Sequence, residues 1–486
     1  MSSNSTTIAD NIRSNIEVMI KMVSDEAAQE ATADEMERQI WWGVLVIGAA
    51  LLQLFFAIRS ELEAKPKKLE REGEVYEYIG QTKRNYVSVF GPVEVERAYY
   101  WKKGGGKHPL DEELSLPERS YSDWVQEIVG ELSVTRPEDE AVGLLKRWFK
   151  LSIPKRSAQH VIGEHAELVE TYYAQSETPQ VGEADTIIVA LADGKGIRMN
   201  RKDSPPPEAR RSKGKQKTAK KEAVVTGLYT ISSYRRTSDD VIRALMPGHL
   251  PESQSETRPK PNGKQVFGTM KGKHTAVQHL AAQVAKRETA QLLDRVALTD
   301  GAIALQQRIE EYLPDFTLIL DLLHVTGYLW KAANVLWNET DPYRECWMVD
   351  ALRCLLEGQL DILLSHLKRQ CAYLSKAKRE TLTQVINYLE RNRPYMQYHL
   401  YLARGWPIGS GVIEGACRHL VKDRFELAGM RWSLKGAQEM LGLRAVYLNG
   451  DWDDFQRFRR IQVHEQRFAS SHPVAFPEIV AFEAVA

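Results

Sequence analysis

The sequence predicts a mixed α/β protein, in which an α/β core is split by an inserted all-α domain. A mainly helical N-terminal region with a small β-hairpin precedes that core. Three observations predict this. Between Thr186 and Val325, apolar runs of strand length alternate with stretches of helical period. From Leu329 to Tyr401 the strand signal disappears, and Leu, Tyr, Trp and Cys recur at core-like helical spacing. Ahead of both, alternation around Gly91-Pro92 reads as a hairpin within otherwise helical sequence.

The elements follow in order. Residues 1–69 form a helical N-terminal region whose first 39 residues are acidic. It contains an apolar helix at 40–58, beginning IWWGVLVIGAALLQLFFA. That length can span a bilayer, with Arg59, Lys65, Lys67 and Lys68 as flanking anchors. A buried or oligomerising helix satisfies the same pattern and is the preferred reading, leaving membrane tethering the minority one. Residues 70–120 hold the hairpin YVSVF-GP-VEVERAYYW, from Tyr86 to Trp101. Residues 121–180 read as helix-turn-helix: a helix from Glu138 to Lys150, a turn at Leu151 to Pro154, and a second helix from Ser157 to Tyr173. Lys155, Arg156, Ser157 and Gln159 stand where a recognition helix would begin.

Residues 181–328 carry the first part of the core. TIIVALADG is a buried strand ending at Asp193, VVTGLYTISSY a second, and KQVFGTM from Lys264 a third. A helix from His274 to Leu293 leads to the strand RVALTDG, ending at Asp300. Another helix, Ile303 to Tyr312, leads to the strand FTLILDLLHV. Three strands, a helix and a fourth strand are the order of a ribonuclease-H-like core. Residues 329–404 are the helical insertion, 405–450 a helix bearing Glu414 and the end of the core, and 451–486 the C-terminal tail.

Composition constrains partners less than patterning does. The 65 basic and 65 acidic side chains cancel, so a nucleic-acid surface must come from local segregation of charge. Such segregation occurs in RKDSPPPEARRSKGKQKTAKK, residues 201–221, where nine basic residues, including Lys213, Lys215 and Lys217, face two acidic ones. A loop of this kind suits phosphate neutralisation. The four cysteines form no C-x-x-C pair and read as reduced core residues of a cytoplasmic protein.

The chemistry gathers on carboxylates. Asp193 and Asp300 each close an apolar run and each precede glycine, and strand ends converge at one edge of an α/β sheet. Glu414 opens a helix after a Gly-Ser-Gly turn, within WPIGSGVIEGACR from Trp406 to Arg418. Two aspartates and a glutamate are suitable ligands for a pair of Mg²⁺ (or Mn²⁺) ions, and no small-molecule cofactor is called for. On a continuous helix Glu414 would share its face with Arg418 and, roughly, with Val421 and Lys422. Arg424, Arg431 and Trp432 add groups for phosphate and base contact. Asp321 and His324 form an accessory constellation. Asp321 is the alternative to Asp300 as second metal carboxylate; Asp300 is favoured because it closes the strand after the long helix.

On these motifs, the chain resembles bacterial insertion-sequence transposases of the DDE class, and most of all the ISKra-type family. The resemblance rests on A-D-G-K-G at Asp193, T-D-G-A at Asp300, L-D-L-L-H at Asp321 to His324, the Trp406–Arg418 block, G-M-R-W-S from Gly429, and L-R-A from Leu443. It covers roughly Thr186 to Asn449. It implies a ribonuclease-H-like core with a helical insertion, and metal-dependent cleavage of element ends followed by transfer of the 3′-OH strand to target DNA. Asp193, Asp300 and Glu414 would be catalytic, terminal inverted repeats and target DNA the partners, a homo-oligomer on DNA the assembly, and the nucleoid the location. V-F-G-P-V-E-V-E-R also resembles the N-terminal part of such enzymes. Relatives carry paired cysteines beyond it, where this chain has Lys, Gly and His108, so no zinc module is expected. A nuclease of the same fold that does not join, or a non-catalytic DNA-binding derivative, are the alternatives.

Overall fold

The computed structural model describes residues 3–71, 73–200, 202–203, 220–252 and 257–468. The chain divides into two units, Met1–Leu168 with Trp452–Ala486, and Val169–Asp451. The second unit is thus inserted in the first.

The first unit begins with helices α1 (Ser3–Ser24) and α2 (Ala33–Leu62). Thr32 caps α2 through a reciprocal capping box with Glu35, which fixes where the helix starts. The predicted apolar segment is the middle of this longer helix. Among the described residues it is one helix long and apolar enough to cross a membrane. Here one side of it lies on a sheet: Phe56 packs with Val93 and Val95, and Gln53 exchanges two hydrogen bonds of 2.8 Å with the backbone of Glu94.

That sheet joins β1 (Lys68–Arg71), β2 (Glu74–Ser88), β3 (Gly91–Lys102) and β4 (Gly105–Lys107) in sequence order, all antiparallel. The hairpin is longer than the alternation suggested, because pairing runs back from the Ser88–Gly91 turn to Glu77 and Trp101. Helices α3 (Asp123–Thr135), α4 (Glu138–Phe149) and α5 (Lys155–Glu167) follow. Lys150 ends α4 in a left-handed conformation (φ 56°), and Leu151 and Ile153 in the turn are buried with Val129, Leu145 and Val161. The expected second helix stops earlier than Tyr173: Leu168 caps α5, and Val169–Gln175 is a separate helix. The helix Trp452–Phe468 completes this unit, with Arg459 paired to Asp123 and Arg460 to Glu127 at 3.0 and 2.8 Å.

The second unit is built on a five-stranded mixed sheet: β5 (Ile187–Arg198), β6 (Lys220–Ile231), β7 (Asn262–Thr269), β8 (Asp294–Thr299) and β9 (Thr317–Leu320). The spatial order is β7-β6-β5-β8-β9. Strands β5, β6 and β7 are antiparallel, while β8 and β9 add in parallel. Strand β5 is central and covered on both faces, which is why it reads as an unbroken apolar run. Helices α6 (Lys273–Arg287) and α7 (Ile303–Tyr312) cover one face, burying Val277, Leu280 and Ile309 against Ile188 and Ala190. The other face receives Ile413 over Gly227, and Leu420 and Leu441 over Gly268.

After β9 the chain turns directly into α8 (Leu322–Leu336). Helices Tyr343–Leu356, Leu360–Cys371, Lys376–Asn392 and Tyr398–Arg404 then form the insertion. Helices α9 (Gly411–Ala416) and α10 (Leu434–Asn449) return to the sheet. Of the four cysteines only Cys417 is buried and Cys346 is exposed, so the expectation of four core cysteines is corrected.

Candidate active site

Strand register aligns the aspartates. Ala192 on β5 pairs with Thr299 on β8, and Thr299 pairs with Leu320 on β9. The next residue on each strand is therefore Asp193, Asp300 and Asp321, three aspartates in a row along one edge of the sheet. Asp193 does not end its strand, as the apolar run implied. Pairing with β8 stops at Ala192, but the antiparallel ladder with β6 carries β5 on to Arg198. The carboxylate is left half-buried at the edge because its parallel neighbour leaves the sheet, not because β5 turns.

Asp300 does leave its strand. Its Oδ1 accepts the Ala302 amide at 2.9 Å, and Gly301 takes φ +86°. A Cβ on Gly301 would lie 2.9 Å from Leu320 Cδ1 and 3.1 Å from the Tyr388 hydroxyl, so glycine is required there twice over. The helical insertion holds this turn. Tyr388 donates its hydroxyl to the Asp300 carbonyl at 2.9 Å, Arg391 donates to the Gly301 carbonyl at 2.9 Å, and Tyr398 donates to the Leu320 carbonyl at 2.8 Å.

Asp321 is the N-cap of α8 and is fully buried. The sequence suggested a strand running through Asp321 to His324; instead the strand stops at Leu320, and His324 lies in the first turn of the helix. Four protein donors reach the Asp321 carboxylate. Oδ1 accepts from the amides of Leu323 (3.1 Å) and Ser410 (2.9 Å), and Oδ2 from the Ser410 hydroxyl (2.6 Å) and His324 Nδ1 (2.7 Å). The Trp406–Ser410 segment is thereby fastened to the sheet edge, helped by the Leu322 amide donating to the Ile408 carbonyl at 2.9 Å.

Glu414 is exposed on α9. Beyond it, Cys417–Lys422 winds as a π-helix, so the regular helical spacing behind the expected shared face is interrupted and Val421 drops out of it. Val421 is buried while Glu414 is exposed, and Arg418 turns to Asp423 at 3.7 Å. One ligand atom from each of Asp321, His324 and Glu414 lies within 4.8 Å of the others, the one such acidic or histidine group among the described residues. Asp193, Asp300 and Glu414, expected to form the metal-binding trio, do not close to that spacing. Glu414 instead meets the Asp321–His324 pair. The four donors on Asp321 fill its lone-pair positions. That leaves His324 Nε2 and Glu414 as the open members of this group.

Electrostatics tie the row together. Burial pushes the Asp193 carboxyl up, and nearby Asp300 adds to this, while hydrogen bonds from Cys417 and Gly194 offset part of it. The Cys417 thiol donates to Asp193 Oδ2 at 3.3 Å and is itself pushed up by burial and that carboxylate. Burial alone would raise Asp321, but the bonds from His324 and Ser410 outweigh it and hold the carboxyl below its usual range. His324 is raised, first by its bond to Asp321 and further by Asp193 and Asp300. The edge therefore concentrates negative charge and draws the imidazole towards its cationic form. Cys417, Ser410 and Tyr388 were not anticipated as site residues. The first two lie inside the Trp406–Arg418 block, three residues after and four before Glu414, and that proximity was the available signal.

The expected DNA-contacting residues divide. Arg418, Lys422 and Arg431 are exposed. Arg424 and Trp432 are buried, the guanidinium 4.9 Å from the indole centroid and Trp432 packed on Phe425, so they build the core beneath α10 rather than a surface for nucleic acid. Lys213, Lys215 and Lys217 lie outside the described residues.

No protein-family model matches the chain, and no curated protein matches it.

Proposed function

We propose that the edge formed by Asp193, Asp300, Asp321, His324 and Glu414 is the active site of a two-metal polynucleotidyl transferase built on a ribonuclease-H-like core. The observation that carries this reading is the register that sets three aspartates in a row at the ends of the β5–β8–β9 parallel pairing, with Glu414 beside the Asp321–His324 pair. Strand order β7-β6-β5-β8-β9, with three antiparallel strands followed by two parallel ones, supports it. Within that class, the motif resemblance from Thr186 to Asn449 and the helical insertion favour an insertion-sequence transposase acting on element ends and target DNA.

The donor set fits a hard divalent cation: half-exposed carboxylates at Asp193 and Asp300, and an exposed one at Glu414. When bound, two Mg²⁺ ions would supply Lewis-acid activation of the attacking oxygen and stabilisation of the leaving one. The protein's own contribution is positional. Asp321 fixes the His324 ring through Nδ1 and leaves Nε2 outside that bond. The insertion clamps the Asp300 turn through Tyr388 and Arg391. Arg418, Lys422 and Arg431 offer cations to flanking phosphates.

The test is cleavage and strand transfer on end-labelled DNA carrying the flanking element ends, with Mg²⁺, comparing wild type with Glu414→Gln and Asp193→Asn. End-specific nicking and a joined product, both reduced by at least ~10³-fold in each variant, are the expected result. Cleavage without joining would replace transposition by a nuclease activity. Folded, DNA-binding protein with no metal-dependent activity would overturn the catalytic reading.

A further inference from the structure

Tyrosines from two helices form a stack beside the candidate site. The Tyr328 and Tyr388 rings lie 3.7 Å apart between centroids and 8° from parallel. Tyr328 belongs to α8, one turn beyond His324, and Tyr388 to the helix Lys376–Asn392 of the insertion. A cation accompanies each ring. Lys331 Nζ lies 4.0 Å from the Tyr328 centroid, and the Arg391 guanidinium 5.6 Å from that of Tyr388. Rings this close leave no room for an ammonium between them, so Lys331 occupies the face of Tyr328 turned away from Tyr388. Cation–π attraction restricts a side chain that would otherwise range through solvent.

Two further observations bear on what these cations are for. Both are exposed, and among the described residues neither forms an ion pair. Glu390, next to Arg391, pairs instead with Lys368 at 2.6 Å, and Arg393, two residues on, takes Asp361 at 2.7 Å. The second observation is Gly327. It lies inside α8, is exposed, and a Cβ there would meet nothing within 4 Å. Glycine weakens a helix interior, and no neighbour in the protein requires it here. At 100° per residue, His324, Gly327, Tyr328 and Lys331 share an arc of about 100°. From the site outward, α8 therefore presents an imidazole, a bare stretch of backbone and an ammonium.

We infer that this face of α8 is a track for the DNA strand at the site, with Lys331 and Arg391 as positioning residues that hold phosphates flanking the one to be cleaved. The inference rests on the two-metal reading of the edge and adds the direction in which the strand leaves it. Seven residues separate Lys331 from His324, about 10 Å of helix rise, or about three base-pair steps of duplex DNA. Arg391 serves the near end, since it donates to the Gly301 carbonyl at 2.9 Å, next to Asp300. Bare backbone at Gly327 lets a sugar and its phosphate approach the helix surface between the site and Lys331. A polyanionic strand suits cations that lack an acid partner, and side chains already held in place lose less freedom on engaging it. The contacts are to phosphate, so they set register along the strand and carry no base preference.

The test uses the full chain and an end-labelled duplex carrying the element end, with single phosphates replaced by neutral methylphosphonates. Binding is read in Ca²⁺ and nicking in Mg²⁺. Lys331→Gln should weaken binding about 3- to 10-fold and lower the slope of log Kd against log salt by about 1. It should raise KM and leave kcat within about 2-fold of wild type. Lys331→Arg should keep the wild-type values, as should Lys378→Gln, an exposed lysine elsewhere in the insertion. One methylphosphonate within about three nucleotides of the element terminus should weaken wild type and leave Lys331→Gln unaffected, which a merely structural lysine would not produce. Gly327→Gln should melt at or above the wild-type temperature yet bind DNA at least as weakly as Lys331→Gln. Wild-type affinity and salt slope in Lys331→Gln, or no phosphate whose neutralisation that variant ignores, would overturn the track even if wild type nicks DNA. A wild type that shows the binding signature but never nicks would keep the track and overturn the catalytic reading instead.

Discussion

Asp321 shows how one buried side chain organises a site. It has no exposed surface, yet it caps α8, anchors Ser410 and orients His324. Asp321→Asn replaces one acceptor oxygen by an amide that cannot accept from Ser410 or His324. The expected loss is on the order of 2–4 kcal/mol in the unfolding free energy of the second unit, read by denaturant melts. A different buried residue makes the stability of the first unit depend on pH. His165 is buried with neither ring nitrogen partnered, and burial, with Arg459 acting in the same direction, holds it well below the usual imidazole value. The unfolded chain takes up a proton near pH ~6.5, whereas the folded one resists it. Stability from this residue is therefore complete above about pH 6.5 and falls as the pH drops below it, with a limiting slope of about 1.4 kcal/mol per pH unit. Urea midpoints measured at about pH 7.5 and about pH 5.5 should separate in that order, and His165→Leu should narrow the gap.

At the scale of elements, the insertion matters through three hydrogen bonds to strand-end carbonyls. Its helices buttress the turns carrying Asp300 and Asp321, and Gly301 lets the backbone make the first of them. Gly301→Ala combines a left-handed φ with a clash at 2.9 Å, whereas Gly450→Ala meets a similar φ of +80° with nothing within 4 Å. Both should cost roughly 1–3 kcal/mol in melts, Gly301→Ala more, and under the proposed function only Gly301→Ala should lower DNA cleavage. Elements were legible in the sequence where one period dominated: α7 occupies Ile303–Tyr312 as its spacing indicates, β8 follows its apolar run, and β5 and β6 contain theirs with shifted ends. Legibility failed where composition did not change at a boundary. FTLILDLLHV is apolar on both sides of Asp321, so nothing in it marks strand giving way to helix. The π-helix after Glu414 was invisible because a changed winding leaves no residue-type signature. Arg424 and Trp432 looked like surface groups because a sequence displays charge, not depth. The carboxylates themselves were legible, but their alignment depends on strand register, which only the assembled sheet provides.

For the whole molecule, the division into units makes a direct prediction. Residues 169–451 hold the entire five-stranded sheet, its helices and every carboxylate of the site. Expressed alone, that segment should melt in one cooperative transition by circular dichroism. Residues 1–168 alone should not, because Asp123 and Glu127 lose Arg459 and Arg460, and Gly130 loses the Trp452 indole that lies against it.

The ends of the inserted unit are themselves tied together: the Tyr173 hydroxyl donates to Asp451 at 2.9 Å and accepts from Asn449 at 2.9 Å. Bringing two distant stretches of chain side by side carries an entropic cost that grows with the length between them. Folding of the middle of the chain meets that cost in advance and returns Leu168 and Trp452 as near neighbours along a closed path. On the ribosome this sets an order of events. The first 168 residues are expected to wait, incompletely covered, while the inserted unit forms, and to be completed only when the helix Trp452–Phe468 emerges. A stop codon shortly before Trp452 would thus spare the carboxylate edge and leave the N-terminal unit unfinished, a polarity in truncation phenotypes opposite to that of two domains joined in tandem.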